Sequence, residues 1–162
     1  MHLNLQFPPT PEHAADHAAL CVSAAKEISG ASLDYTIGSL EQIDSIIQGM
    51  CNDEVRVEEV AETLFVFGCY VGEVFVRNAG AVWRKEEDTP MKGLGGFFIL
   101  LELAPEHHCN PIGKVFKRFE DGEGDNIPYF YSVTTGAPLR ADTAASAPRK
   151  RSLLARIFRG DR

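Results

Sequence analysis

Apolar residues recur at helical spacing through the first half of the chain and gather into short, dense runs in the second. Thr10-Pro11-Glu12 places a hydroxyl, a proline and an acid where a helix begins, and Gly30 stands where one ends, so a first helix is expected from there to about Ser29. Leu33-Asp34-Tyr35 reads as a short extended piece. Leu40, Ile43, Ile46 and Ile47 form one stripe on a second helix, roughly Ile37 to Met50. Asn52-Asp53-Glu54 looks like the cap of a third helix, whose first turns are acidic (Glu54, Glu58, Glu59, Glu62) and which runs to Arg77.

The third helix carries the most informative pattern. From Leu64 onward it is apolar on every side, interrupted by one acid, Glu73. A helix without a polar face has no solvent side, which puts residues 64–77 at the centre of the fold. Gly68 and Gly72 lie four apart on one face and mark a place where another backbone approaches closely.

Ala81–Glu86 and Phe97–Leu103 read as strands joined by the turn-rich DTPMKGLGG, which suits an antiparallel hairpin. Asn110-Pro111 opens a further helix to about Glu120, and Ile127–Val133 is either a short helix or a final strand. The pattern as a whole predicts an α+β domain over residues 1–133: several helices around a small antiparallel sheet, with the hairpin near 81–103. Residues 134–148, small, polar and proline-containing, read as a flexible linker. Beyond it, Leu153, Leu154, Ile157 and Phe158 fall on one helical face among Arg149, Lys150, Arg151, Arg156 and Arg159, a basic amphipathic tail over 149–162.

Charge sharpens this division. Residues 1–140 hold 10 Lys and Arg against 21 Asp and Glu, a net of −11, whereas residues 141–162 hold 6 against 2, a net of +4. An acidic body repels phosphates and argues against nucleic-acid binding by the domain. The longest apolar run, Leu64–Val76, is shorter than the ~20 residues of a membrane span. Membrane contact is expected only through the tail. The N-terminus lacks the basic start and apolar run of a signal peptide, and Cys21, Cys51, Cys69 and Cys109 contain no CxxC pair, so the expectation is a cytoplasmic chain with reduced thiols.

Candidate chemistry is sparse. A carboxylate in an apolar helix must be paired, neutralised or used. Glu73 and Arg77 have the favoured i, i+4 order for an ion pair, and Lys117 and Arg118 are further candidate partners. Glu73 is then either an acid-base or recognition carboxylate, with Tyr70 and Trp83 lining a pocket beside it, or one member of a buried ion pair that ties the central helix to its neighbours. His13 and His17 have metal-chelating spacing, but Ala14 stands where the catalytic helix of a zinc protease has Glu, so an exposed polar face is expected. His107-His108-Cys109 reads as a loop, and the Gly93–Gly96 glycines precede a strand, the wrong context for a phosphate loop. No catalytic residue, metal or cofactor is assigned.

Three segments, LDYTIGSLEQID (33–44), GCYVGEVFVRNAGAVW (68–83) and NPIGKVFKRFEDGEGD (110–125), with Tyr129-Phe130-Tyr131, resemble a family of bacterial domains of unknown function. The shared pattern is GxYxGEVxxRxxGxxW followed by NPxxKVxKR, over about residues 33–131. The resemblance implies a compact α+β domain and carries no assigned activity. Together with the acidic body it leads to the expectation of a non-enzymatic protein-interaction module of immunity-like or adaptor type; a small-molecule binder or enzyme with a pocket at Glu73, and peripheral membrane attachment through the tail, are the alternatives.

Overall fold

The computed structural model describes residues 2–94 and 97–138. Among these, five helices pack with a three-stranded antiparallel sheet: α1 (Ala14–Ser29), α2 (Ser39–Asn52), α3 (Val57–Ala79), β1 (Val82–Lys85), β2 (Ile99–Ala104), β3 (His107–Cys109), α4 (Pro111–Asp121) and α5 (Ile127–Thr135). The expected α+β architecture is present.

Helix α3 is the axis of the fold. Every residue from Leu64 to Phe75 is buried, because α1 packs along one side of it, α4 along another, and β1 folds back across it through Trp83. The two notches work as close-approach points: a Cβ on Gly68 would lie 2.4 Å from the Cα of Ile112 at the start of α4, and one on Gly72 would lie 2.1 Å from the indole of Trp83. Gly80, in the left-handed region at φ 68°, ends α3 and turns the chain into β1.

The sheet has the order β1-β2-β3, and the hairpin pairs Trp83 with Leu101 and Lys85 with Ile99. Ile99, Leu100 and Leu101 are all buried, as the unbroken apolar run required.

Several expectations need correction. The third helix begins at Val57 rather than at the Asn52-Asp53-Glu54 cap, since α2 continues through Asn52. The start of α3 is held instead by Glu59, whose carboxylate accepts the Arg56 backbone N–H at 3.1 Å. His107-His108-Cys109 is not a loop: it pairs with β2, with Leu101 opposite Cys109. Its residues carry no period-2 apolar signal, and only the partner strand makes it β. Ile127–Val133 resolves as helix, α5, which begins on an Asn126 cap (Tyr129 N–H to Oδ1, 2.9 Å) and runs to Thr135, two residues into the stretch read as linker. The remainder of that linker from residue 139, and the basic tail, lie outside the described residues. No helix among the described residues is long and apolar enough to cross a membrane.

Candidate functional site

Glu73 sits two turns from the end of α3, in a wall made by its own helix and β1. Its carboxylate is buried but partnered on both oxygens: Trp83 Nε1 donates to Oε1 at 2.9 Å, and Arg77 Nε donates to Oε2 at 3.4 Å. Trp83 arrives there because the αL turn at Gly80 reverses the chain, and because Gly72, one residue before Glu73, leaves room for the indole. The indole therefore fills the Gly72 notch and reaches the carboxylate directly.

Arg77 continues outward. Its guanidinium lies 3.5 Å from the centroid of the Tyr35 ring, which stacks on Tyr70 at 4.8 Å. The buried Tyr70 hydroxyl ties α3 to the Tyr35–Ser39 turn. Ser39 Oγ donates to the Thr36 carbonyl at 2.6 Å, so the Tyr70 hydroxyl must donate to Ser39 Oγ (2.7 Å); it accepts from the Tyr35 N–H at 2.8 Å. Asn78 Nδ2 holds the Tyr35 carbonyl at 2.9 Å. These bonds stabilise the left-handed conformation of Tyr35 (φ 61°), which a bulky residue adopts only under constraint.

The other two cations expected near Glu73 pair elsewhere. Lys117 lies 3.6 Å from Asp125, which also accepts from Lys114 at 2.6 Å. Arg118 is completely buried and forms a two-pronged bond to Asp44, Nε to Oδ1 at 3.0 Å and Nη2 to Oδ2 at 2.9 Å, with Nη2 also donating to Gln48 at 2.9 Å. Asp44 Oδ1 accepts the Ile127 N–H at 2.9 Å, so a single carboxylate joins α2, α4 and the start of α5. Burial opposes the Arg118 charge, but the Asp44 hydrogen bonds and field outweigh it and raise its pKa. Sequence reasoning missed Asp44 because an isolated acid on an amphipathic helix reads as solvated; the stranded position of Arg118, on the apolar side of α4 with Val115 and Phe116 buried nearby, was the available signal.

The histidine pair does not converge either. His13 is partly exposed and lies 2.9 Å from Asp16, whereas His17, expected on an exposed face, is fully buried. Its Nε2 faces the Pro8 carbonyl at 3.2 Å, which requires the proton on Nε2, and its ring is edge-on to Phe7 and Phe65. Its Nδ1 is buried with no partner. Burial depresses the His17 pKa below the ordinary 6.5. As pH falls below 6.5 the unfolded chain takes up this proton before the folded one does, so stability should be complete above that pH and decline as pH drops toward the folded pKa. Chemical denaturation across this range should show the decline, and His17→Gln should flatten it. An unchanged slope in the variant would assign the effect to other groups.

No group of three His, Cys, Asp or Glu side chains placed to hold a metal occurs among the described residues. The four thiols are free and poorly nucleophilic. Burial raises the pKa of Cys21, Cys51 and Cys69, and pushes Cys109 up to about 12. A groove on the described surface is lined by His2–Pro9 and Phe98 and includes none of Glu73, Tyr70, Trp83 or Lys117. The chain matches no protein-family model, no curated protein and no solved structure.

Proposed function

We propose that the domain is a non-enzymatic protein-interaction module, of the immunity-like or adaptor kind, related to the bacterial domains of unknown function that its motifs resemble. The observation that carries this reading is the state of Glu73. The carboxylate that the sequence singles out as the candidate acid-base group has both oxygens engaged and Trp83 packed against it. An enzyme built on this residue needs an accessible carboxylate with convergent neighbours, and the neighbours named for that role hold other partners.

Glu73 then acts as the polar pin of the core. Glu73→Gln keeps an acceptor for Trp83 and loses the partly exposed Arg77 pair, with an expected loss of about 1 kcal/mol. Glu73→Ala orphans the buried indole N–H and should lose about 2–3 kcal/mol. Wild-type stability in both variants, measured by urea denaturation, would leave the structural role without support.

The partner surface is read from charge. Asp53, Glu54 and Glu58 stand exposed around the α2–α3 turn, where Arg56 pairs with Glu59. Such a rim steers a basic partner and makes association salt-dependent. The test is affinity capture from the native host with the full chain and with Asp53→Lys, Glu54→Lys, Glu58→Lys. A basic protein captured by the wild type, lost on charge reversal and weakened by salt supports the module. Capture indifferent to these changes, or turnover that disappears in Glu73→Gln, overturns it.

A further inference from the structure

Residues 2–9 cross the body as an extended strap. Their exposure alternates: Leu3, Leu5 and Phe7 turn inward and are half-buried, whereas Asn4, Gln6 and Pro8 are exposed. Leu3 and Leu5 pack against the core. No strand pairs with the segment among the described residues. Its hydrogen bonds to the body run instead from strap main chain to body side chains. The Asn4 N–H donates to Glu62 Oε1 of α3 at 3.0 Å, and the Pro8 carbonyl accepts from His17 Nε2 of α1 at 3.2 Å. The Phe7 ring stacks on His13 and meets His17 edge-on, both at 5.7 Å between centroids. A groove of about 430 Å³ lies along the strap beside Phe98. A segment held by so few contacts opens at a fraction of the cost of global unfolding.

His17 is the tie whose state changes with pH. Its ring is fully buried between Phe7 and Phe65, and its Nδ1 is buried with no partner. With one proton already on Nε2, a second lands on Nδ1, where neither water nor an acceptor receives it. The surrounding groups do not offset this. In the turn before α1, His13 opposes a charge on His17; Asp16 favours one, but lies 2.9 Å from His13 Nδ1. Cys21, one turn further along α1, is buried, and its raised pKa keeps it neutral. From α3 the ring meets Phe65, and Glu62, one turn earlier, is bound to Asn4. Burial outweighs the Pro8 and Phe7 carbonyls, so the covered ring binds its second proton more weakly than a hydrated one. Lifting the strap removes Phe7 from the ring and gives Nδ1 water, without parting α1 from α3.

We propose that residues 2–10 are an acid-released strap, closed over neutral His17 and lifted from α1 and α3 when His17 takes a proton on Nδ1, while α1–α5 stay folded. The device is built into the single chain and does not rest on the interaction-module reading. Its sign follows from linkage. Below the ordinary histidine value of 6.5 the open state is protonated first. Its population should then rise by up to about tenfold per pH unit, until the pH reaches the lower value of the closed state.

The test is an NMR titration of the full chain from about pH 7.5 to about pH 5, following the His17 ring, the amides of Leu3, Leu5 and Phe7, and the amides of the helices. The His17 ring and the strap amides should share one midpoint. Through it the Phe7–His17 ring NOE should vanish, and the heteronuclear NOE of the strap amides should fall to that of mobile chain, while the helix amides stay dispersed. His17→Gln, which keeps a donor for Pro8 and cannot charge, should hold the strap closed throughout. Glu62→Gln, which keeps an acceptor for Asn4, should leave the midpoint in place. Strap amides that stay ordered through the range overturn the proposal. So does release at a midpoint different from that of the ring, a result the wild type gives without any variant. Loss of strap and helices together makes the transition global and overturns it too, as does release at an unchanged midpoint in His17→Gln, which assigns it to another group.

Discussion

Gly68→Ala should destabilise the protein by a net of about 2 kcal/mol or more, although helix propensity alone predicts a gain of about 1 kcal/mol. The sign is decided by what the added methyl meets. At Gly68 it is the main chain of α4, 2.4 Å from the Cα of Ile112, and no rotamer change relieves a clash with backbone. Relief requires α4 to move, and α4 carries its Asn110 cap, the Lys114–Asp125 pair and Arg118. Moving it strains a buried ion pair as well as the packing, which is why the loss exceeds ordinary overpacking of about 1–3 kcal/mol less the propensity gain. Gly124→Ala is the matched control, since its Cβ would meet nothing within 4 Å. Urea denaturation of the two variants checks the comparison, and a Gly68→Ala protein as stable as wild type would show that the α3–α4 crossing is looser than its geometry.

Asp44→Ala should have the largest effect of all, a loss of about 3–5 kcal/mol. The substitution leaves Arg118, fully buried, with Gln48 as its one side-chain hydrogen-bond partner among the described residues, in addition to an Nη1 already unbonded. It also leaves the Ile127 N–H at the start of α5 without its acceptor. At roughly 2–4 °C per kcal/mol for a chain of this size, the melting temperature should fall by about 10 °C. The companion variant Asp44→Leu/Arg118→Met removes both charges and should recover most of the loss, because a buried pair replaced by apolar groups of similar volume is near neutral. Calorimetry of the single and double variants distinguishes the two cases. A single variant within 1 kcal/mol of wild type, or a double variant worse than the single, would sink the assignment of this carboxylate as the joint of α2, α4 and α5.

Both predictions concern contacts that only the folded chain displays, yet their ingredients are partly legible in the sequence. Gly68 and Gly72 signal close approach because glycine is a poor helix former and two of them four apart share a face. What approaches them, Ile112 and the Trp83 indole, depends on how the chain returns after residue 80. Glu73 is marked by its apolar surroundings, and Arg77 by its place on the same helix. Trp83 reads from the sequence as a candidate neighbour of Glu73, and the structure adds that its indole N–H donates to that carboxylate. Lys117 and Arg118 go to other carboxylates than the one expected, because sequence spacing orders partners only within one element. Across elements, the choice between Glu73, Asp44 and Asp125 is made by the packing of α4 against α2 and α3.

The sequence by itself determined the α+β class, the central position of the apolar helix from Leu64 onward, a hairpin near 81–103, and the division between an acidic body and a basic C-terminal segment. Each rests on local periodicity, chain-reversing residues or charge counting, which need no knowledge of distant neighbours. Tertiary structure alone decided that β3 is a strand, that His17 is buried under Phe7, and that Asp44 rather than Glu73 receives Arg118. Those outcomes rest on hydrogen bonds and desolvation between residues up to 74 positions apart. Such terms are set by where whole elements come to rest, and no local pattern encodes them.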